Sequence, residues 1–527
     1  MLMNKHLFSV LILSATASAV CGQATSSVPK LVVGITIDKL RSDYMDAFSP
    51  IYGDGGFKRL LDEGVVYPNI QYSTANVDRA SSVSSIYTGT VPYNHGIVGE
   101  AWLDRSSLRP MYCVDDFKFR GHNTSDYTSP KNLLVSTIGD ELKIATEGKA
   151  KVYSVAPFKE VAILSAGHAA DWAMWIDDVS GKWAGTSYFG SAPSWTKYVD
   201  VMAPSEKIQS ITWQPSNLVV ESYNYYLSSE KKSKFSHKFT GDRRFKEYKN
   251  SACVNEEVTR VAKSCIDGAN LGSDGVTDML SLCYYAGTFD NRPMSEVSSE
   301  LQDTYVRLDA ELKKLLDEID KKVGLQNTLI FLTSTGQDSS EPYDLSKYRI
   351  PTGTFRINRC AALLNVYLMA IYGQGQIVDG YYGNQLYLNH KLIEEKQLNL
   401  SEILDRCEDF LFQHSGIRDV YTSHRLTQGA WTPGINRIRN SYNPKCSGDI
   451  LIEVIPGWTL ENEDLVSRKM VRDSFMEFPL IFFGNGLDHQ RIRREITIDR
   501  IAPTISHFIR IRAPNASSAA PLSEVGK

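Results

Sequence analysis

The sequence predicts an α/β protein whose central, mostly parallel sheet is sandwiched by helices and interrupted by an inserted lobe. Two observations support this fold class. Short apolar runs have the composition of strands that are buried on both faces of a sheet. Amphipathic helical patterns lie among these runs, and such an arrangement is typical of a sheet covered on both sides.

Three runs are predicted as buried strands. They read KLVVGITI at 30–37, TLIFLT at 328–333 and FPLIFF at 478–483. Two helices are predicted from apolar residues at helical spacing, at 57–63 and at 301–319. The alternation of the two patterns indicates a parallel or mixed sheet.

The chain is predicted to hold one domain after a signal peptide. Residues 1–22 form the signal peptide and residues 23–527 the α/β domain. Residues 169–275, rich in Trp, Tyr, Ser and Lys, do not show clean alternation and are interpreted as an inserted lobe. Residues 340–450 form a second irregular insertion, which carries a helical pattern at 400–412.

The N-terminus predicts export to the periplasm or the outer-membrane face. Lys5 precedes an apolar run at 7–13 and small residues at 14–19, which is the order of a secretory signal. A lipid anchor at Cys21 is disfavoured because Val20 is bulky. Since no later apolar stretch reaches about 18 residues, no transmembrane segment is predicted.

Composition excludes one class of partner. The 527 residues are 42% hydrophobic and 22% charged, with a formal net charge of −4, so no strong positive field attracts nucleic acid. Seven of the eight cysteines follow Cys21, and none forms a Cys-x-x-Cys pair that would suggest a zinc knuckle. A bridge between Cys253 and Cys265 and a set of buried free thiols both remain open.

Nine segments of the chain together carry a resemblance to a known family. The segments are KLVVGITIDKLRSDY (30–44), GGFKRLLDEG (55–64), SIYTGTVPYNHGIVG (85–99), GDELK (139–143), ILSAGH (163–168), DTYVRLDAEL (303–312), LIFLTS (329–334), FPLIFFG (478–484) and ITIDRIAPTI (496–505). They resemble the alkaline phosphatase superfamily, in particular the periplasmic phosphatases of Bacteroidetes and the nucleotide pyrophosphatase/phosphodiesterases. The resemblance runs in order through nearly the whole mature chain, and it implies an alkaline phosphatase-like fold.

The resemblance implies a particular site. In the superfamily two zinc ions are held by Asp and His at the carboxyl ends of the strands, and a Thr or Ser at a helix N-terminus attacks phosphorus. Zinc requires such oxygen and imidazole ligands, and it lowers the pKa of the attacking hydroxyl.

Most positions matched to that site carry other residue types. The nucleophile position is Arg79, which stays protonated and cannot attack. The metal-ligand positions are Asp38, Tyr284, Thr288, Thr335, Gly336 and Glu477. The phosphate-binding positions are Glu100, Phe158 and Glu160. Only Asp38 keeps the expected type, so no catalytic residue, no bound metal and no cofactor are predicted.

The expected function is that of a catalytically inactive binding or scaffold subunit of the bacterial cell envelope. Its expected partner is another envelope protein, or else a glycan or an anionic ligand. One alternative is an active phosphomonoesterase or phosphodiesterase with an altered metal site, for example Ca²⁺ on Asp38, Glu477 and Glu100. The other is an anion-binding or phospholigand-binding module centred on Arg79.

A contact is also predicted. A carboxylate at the end of a buried strand is costly unless a cation pairs with it. We therefore expect the Arg79 guanidinium to lie within about 4 Å of the Asp38 carboxylate.

Overall fold

A computed structural model describes residues 28–216, 234–336, 350–429, 432–471 and 476–525. The predicted signal peptide lies outside the described residues. The described strands are β1 Leu31–Asp38, β2 Val65–Gln71, β3 Ala101–Asp104, β4 Arg109–Tyr112, β5 Asp115–His122, β6 Tyr127–Thr128, β7 Val152–Val155, β8 Trp172–Ile176, β9 Trp183–Thr186, β10 Thr212–Trp213, β11 His237–Lys238, β12 Asp278–Tyr285, β13 Thr328–Ser334, β14 Thr354–Arg356, β15 Val378–Tyr382, β16 Gln385–Leu388, β17 Ile417–Thr422, β18 Ile450–Val454, β19 Thr459–Asn462, β20 Ser467–Met470, β21 Phe478–Gly484, β22 Gln490–Arg491 and β23 Ile496–Thr497.

Helices of the described residues lie among these strands. They are α1 Ser42–Phe48, α2 Phe57–Glu63, α3 Arg79–Thr88, α4 Pro92–His95, α5 Ile138–Ala145, α6 Lys159–Ala166, α7 Thr196–Asp200, α8 Pro204–Lys207, α9 Arg244–Lys249, α10 Cys253–Gly268, α11 Met294–Lys322, α12 Ile357–Tyr372, α13 His390–Glu395, α14 Leu400–Leu411, α15 Ser423–Gln428, α16 Pro433–Asn440 and α17 Ile501–Phe508. None of them is long and apolar enough to cross a membrane.

A large central sheet organises the chain, and it confirms the predicted fold class. Its strand order is β22-β2-β21-β13-β1-β12-β7-β8-β9-β5-β6, with β23 beside β2. The middle strands β13, β1, β12, β7 and β8 are parallel, whereas β21 runs antiparallel between β13 and β2. All eight residues of β1 are buried, as the continuous apolar run predicted.

The three predicted strands are β1, β13 and β21, each within about one residue of its expected limits. The shorter predicted helix is α2, with the same bounds. The longer one, α11, is extended at both ends to Met294–Lys322.

The two irregular stretches differ from each other in structure. Within 169–275, β8 and β9 join the central sheet and α10 packs on β12, so part of the stretch interpreted as a lobe belongs to the main layers. Within 340–450, strands β15, β16 and β17 form a second sheet with β18 in the order β15-β16-β18-β17, and α12 and α14 pack over its separate apolar core. The division into a domain and insertions stays a prediction.

Candidate active site

Asp38 lies at the carboxyl end of the central strand β1, and its side chain is fully buried. The parallel neighbours β12 and β13 end at the same edge, so residues that follow them are brought to the same place. Thr335, directly after β13, donates its hydroxyl to Asp38 Oδ1 at 2.8 Å. The fold therefore gathers polar side chains where three buried strands stop.

Helix α3 brings Arg79 to this edge. Asp78 is the N-cap, and it forms a capping box with Ser81 that fixes where the helix begins. Arg79 is the first helical residue, and its Nε and Nη2 donate to Asp38 Oδ2 at 3.2 and 3.1 Å. The predicted ion pair between Arg79 and Asp38 is confirmed.

A second carboxylate holds the other side of the guanidinium. Arg79 Nη1 donates to Glu160 Oε1 at 2.7 Å, and Glu160 Oε2 accepts from the Tyr112 hydroxyl at 2.8 Å. The Phe158 ring lies beneath the guanidinium, with its centroid 3.6 Å from Cζ. Arg79 is thus held by two buried carboxylates and an aromatic face.

Electrostatics in this cluster follow from burial and pairing. Burial would lower the pKa of Arg79, but Asp38 and then Glu160 hold it well above its usual value. Burial would likewise raise the pKa of Glu160, but the attraction of Arg79 holds it below its usual value. Arg79 and Glu160 are therefore ionised together.

Glu100 forms the open side of the cluster. Its Oε1 lies 3.7 Å from Arg79 Nη1, and its side chain is 37% exposed, whereas that of Glu160 is 3% exposed. Partial burial raises the pKa of the Glu100 carboxyl to about 7, against the opposing attraction of Arg79. Glu100 is therefore the carboxyl group of the cluster that titrates near neutral pH and faces solvent.

The structure brings together Asp38, Arg79, Glu100, Phe158, Glu160 and Thr335. The remaining positions from the sequence are Tyr284, Thr288, Gly336 and Glu477. Tyr284 lies on the other face of β12, with its hydroxyl 3.1 Å from that of Thr259. Thr288 is buried behind the end of β12, where its carbonyl accepts from the Tyr285 hydroxyl at 2.6 Å. Glu477 is exposed just before β21.

The backbone conformation and the surroundings of Gly336 both disfavour a side chain at this position. Its φ is +66°, and an added Cβ would lie 2.4 Å from the ring of Tyr72. A ligating side chain at this position would require that ring to move.

Three neighbours of the cluster were missed by sequence reasoning. They are Asp78, Tyr112 and Tyr285, the last being paired with Asp38 across the sheet and on the same face. The N-cap signal of Asp78 before Ser81 could have revealed its role. Nothing in the sequence marked Tyr112, because its partner Glu160 is 48 residues away.

The residues present do not fit the two zinc ions that the resemblance implies. Zinc sites are built from three or four Cys, His or carboxylate ligands, and four of the six matched positions supply Tyr, Thr or Gly instead. In the part of the chain that the structure describes, no group of three or more such side chains is placed to hold a metal. The calcium alternative would use Asp38, Glu100 and Glu477, of which Asp38 is fully buried and Glu477 is exposed.

Comparison with known proteins identifies the family. The profile described as type I phosphodiesterase / nucleotide pyrophosphatase matches residues 32–474, most of the chain. The chain belongs to this family. The match confirms the resemblance to the alkaline phosphatase superfamily that the sequence motifs indicated.

Relatives within the type I phosphodiesterase / nucleotide pyrophosphatase family extend over the full chain. Alkaline phosphatase PafA of Elizabethkingia meningoseptica is 29% identical over 99% of both chains. Alkaline phosphatase PhoV of Synechococcus elongatus is 30% identical, over 95% of this chain and 94% of the relative. The crystal structure of PafA superposes with a TM-score of 0.79 at 28% identity, covering 95% of this chain and 99% of that one.

These relatives correct the expected function. The sequence predicted a catalytically inactive binding or scaffold subunit, and that prediction is wrong, because full-length relatives are named alkaline phosphatases. Members of this family are phosphoric ester hydrolases. The incorrect prediction relied on residue types at single positions, whereas the similarity extends over the whole scaffold.

Proposed function

We propose that the chain is a phosphoric ester hydrolase, acting on phosphomonoesters or phosphodiesters at the Arg79 cluster. The family and its full-length phosphatase relatives support the reaction class. The observation that carries the location is Glu100, a solvent-facing carboxyl with a pKa of about 7, 3.7 Å from the guanidinium of Arg79. Perturbed carboxyl groups beside a fixed cation are typical of acid–base sites.

Each group has a distinct part in the proposed reaction. Arg79 supplies a fixed positive charge next to the phosphoryl oxygens, which lowers the cost of the charge that develops on them. The Glu100 carboxylate accepts a proton from the attacking water as the oxygen–phosphorus bond forms. The phosphorus–ester oxygen bond breaks, and the released alcohol takes a proton from solvent.

Orientation comes from the groups around these two. Asp38, Glu160 and the Phe158 ring fix the guanidinium, so its remaining exposed edge faces Glu100. The backbone N–H of Glu100 donates to Asp78 Oδ2 at 2.7 Å, which holds the base near the start of α3. Capture of a free anion by Arg79 alone is less well supported, because its donors already bind two carboxylates.

The proposal is tested with residues 23–527, the chain without its predicted signal peptide, on aryl phosphate monoesters and diesters. We expect turnover above the buffer rate, and we expect Glu100→Gln to lower kcat at least about tenfold because the proton acceptor is lost. Glu395→Gln, an exposed carboxyl elsewhere, is the matched control and should keep the activity of the parent. All variants are purified identically, so a contaminating phosphatase would give equal rates in every preparation.

Two results would overturn the proposal. One is turnover no faster than the buffer rate on both substrate classes across pH 5–10. The other is equal activity of the Glu100→Gln variant and the parent. Export and an envelope-protein partner stay predictions, and fractionation of the native cell envelope tests both.

A further inference from the structure

The carboxylate of Asp38 has both oxygens engaged by side chains of the chain itself. Oδ1 accepts from the Thr335 hydroxyl at 2.8 Å, and Oδ2 accepts from Arg79 Nε and Nη2 at 3.2 and 3.1 Å. A metal ion on Asp38 would compete with these donors for the carboxylate oxygens. The position that the resemblance assigns to a zinc ligand is therefore already satisfied.

The guanidinium is enclosed as a bound cation would be. Its three nitrogens contact Asp38 and Glu160, the Phe158 ring covers one face, and its side chain is only 12% exposed. Asp38 is fully buried and Glu160 nearly so. Buried carboxylates of this kind require a cation, and Arg79 supplies it from within the chain.

The other positions give a metal little to bind. Thr335 is a neutral donor toward Asp38, Gly336 has no side chain, and the hydroxyl of Tyr284 points to the opposite face of β12. With Arg79 in place, Asp38 and Glu160 are already paired with a cation, and Glu100 is the further carboxyl at this cluster.

We infer that the Arg79 guanidinium is the resident cation of this site and takes the place of a divalent metal on Asp38. The inference concerns the same site as the proposed hydrolase. It rests on the proposed function in one respect: if both are correct, hydrolysis at this site does not require a bound metal. Metal binding itself is measured without substrate, so failure of the two ideas can be told apart.

The experiment titrates the chelator-treated chain, residues 23–527, with Zn²⁺ by calorimetry and measures metal content after gel filtration. We expect no stoichiometric zinc on Asp38 and no difference in zinc binding between the parent and Asp38→Asn. The Arg79→Ala variant frees Asp38 and Glu160, so it should gain a zinc-dependent rise in Tm. Adding Asp38→Asn to that variant should remove the rise.

The comparison of the parent with Asp38→Asn also controls for zinc that binds to exposed histidines elsewhere on the chain. Zinc bound equally by the parent and by Asp38→Asn lies away from this site and agrees with the inference. About one zinc or more per parent chain that disappears in Asp38→Asn would overturn it. If Arg79→Ala does not fold, the comparison of the parent with Asp38→Asn still decides the question.

Discussion

The carboxylate of Asp78 accepts the backbone N–H of Glu100 at 2.7 Å with one oxygen, while its other oxygen caps α3 through the N–H of Ser81 at 2.8 Å. One side chain therefore positions both the helix that begins with Arg79 and the strand-side residue that faces it. This link across 22 residues holds the two proposed reacting groups in register.

The Asp78→Ala variant should therefore lose stability and activity together. Loss of an N-cap costs about 0.5–2 kcal/mol, and the unpaired N–H of Glu100 adds to that. We expect a lower urea midpoint and a reduced kcat. Asp78→Asn keeps an acceptor oxygen and should retain more of both, so equal losses in the two variants would contradict the capping explanation.

Removal of the Arg79 side chain should lower the free energy of unfolding. Arg79→Ala leaves the buried carboxylates of Asp38 and Glu160 unpaired, and breaking a buried pair typically costs about 3–5 kcal/mol. Denaturant unfolding measures this loss. Lys149→Ala is the control, because its pair with Glu147 is exposed and such pairs contribute about 0–1 kcal/mol. Similar losses in the two variants would show that the Arg79 pair is not structural.

The raised pKa of Glu100 predicts how the stability of the chain depends on pH. Its pKa is raised from 4.5 to about 7 in the folded chain, so the folded state binds this proton more tightly than the unfolded state does. The contribution is fully present below pH 4.5 and is lost as the pH rises through about 7. Because the side chain is 37% exposed, solvent screening should keep the effect to about 1 kcal/mol or less.

The Glu100→Gln variant tests this sign. As the pH rises from 4.5 to 7, the free energy of unfolding of the parent should fall relative to that of the variant. Above pH 7 the difference between the two should stay constant. Glu395→Gln should show no such step. A difference that grows in the parent's favour over this interval would mean that the carboxyl is stabilised in its charged form instead.

How far the sequence could predict the fold depended on burial. Strands β1, β13 and β21 are buried along nearly their whole length, so their composition alone identified them. Strands β8 and β9, within the stretch 169–275 interpreted as a lobe, are short and rich in Trp, so the sequence did not identify them as strands of the central sheet. Their membership of the central sheet depends on pairing with β7, which a local pattern does not show.

The candidate site was predicted in part. Asp38 and Arg79 could be paired from the sequence because the cost of an unpaired buried carboxylate is general physics. The roles of Tyr112 and Asp78 could not, since they depend on contacts between distant segments. Tyr284 was placed at the site by motif spacing, but strand alternation turns it to the opposite face from Asp38.

Another buried carboxylate, that of Asp449, links the smaller sheet to the β3–β4 turn. Asp449 accepts from Arg105 Nη1 at 2.9 Å, from His390 Nε2 at 2.8 Å and from the N–H of Leu388 at 2.7 Å. Arg105 lies in the turn between β3 and β4, so this cluster joins the two parts. Asp449→Asn should cost about 1.5–3 kcal/mol, since hydrogen bonds to a charged group are lost.

Hydrogen exchange shows which part of the chain loses stability in the Asp449→Asn variant. Amides of β15 to β18 should exchange faster in Asp449→Asn, while those of β1 and β13 stay protected. The bond to Asp449 raises the pKa of His390, so its contribution is present at low pH and is lost as the pH rises through the raised value. Uniform loss of protection over the whole chain would contradict a local clamp.

The cysteines give the last prediction. Cys253 and Cys265 both lie in α10, twelve residues apart, so about 18 Å of helix separates them, well beyond the limit of about 7 Å for a disulfide. The bridge left open by the sequence is therefore excluded, and the seven described cysteines are all free thiols. Burial raises the pKa of Cys253 to about 12 and that of the half-buried Cys446 to about 11, so these thiols should react slowly.

Labelling of the folded chain, residues 23–527, with a thiol reagent tests this. We expect the reagent to modify Cys446 first, and we expect the Cys446→Ser variant to lack this first reaction. All seven thiols should react after unfolding, and peptide mapping that recovers a Cys253–Cys265 crosslink from the native chain would contradict the helical geometry.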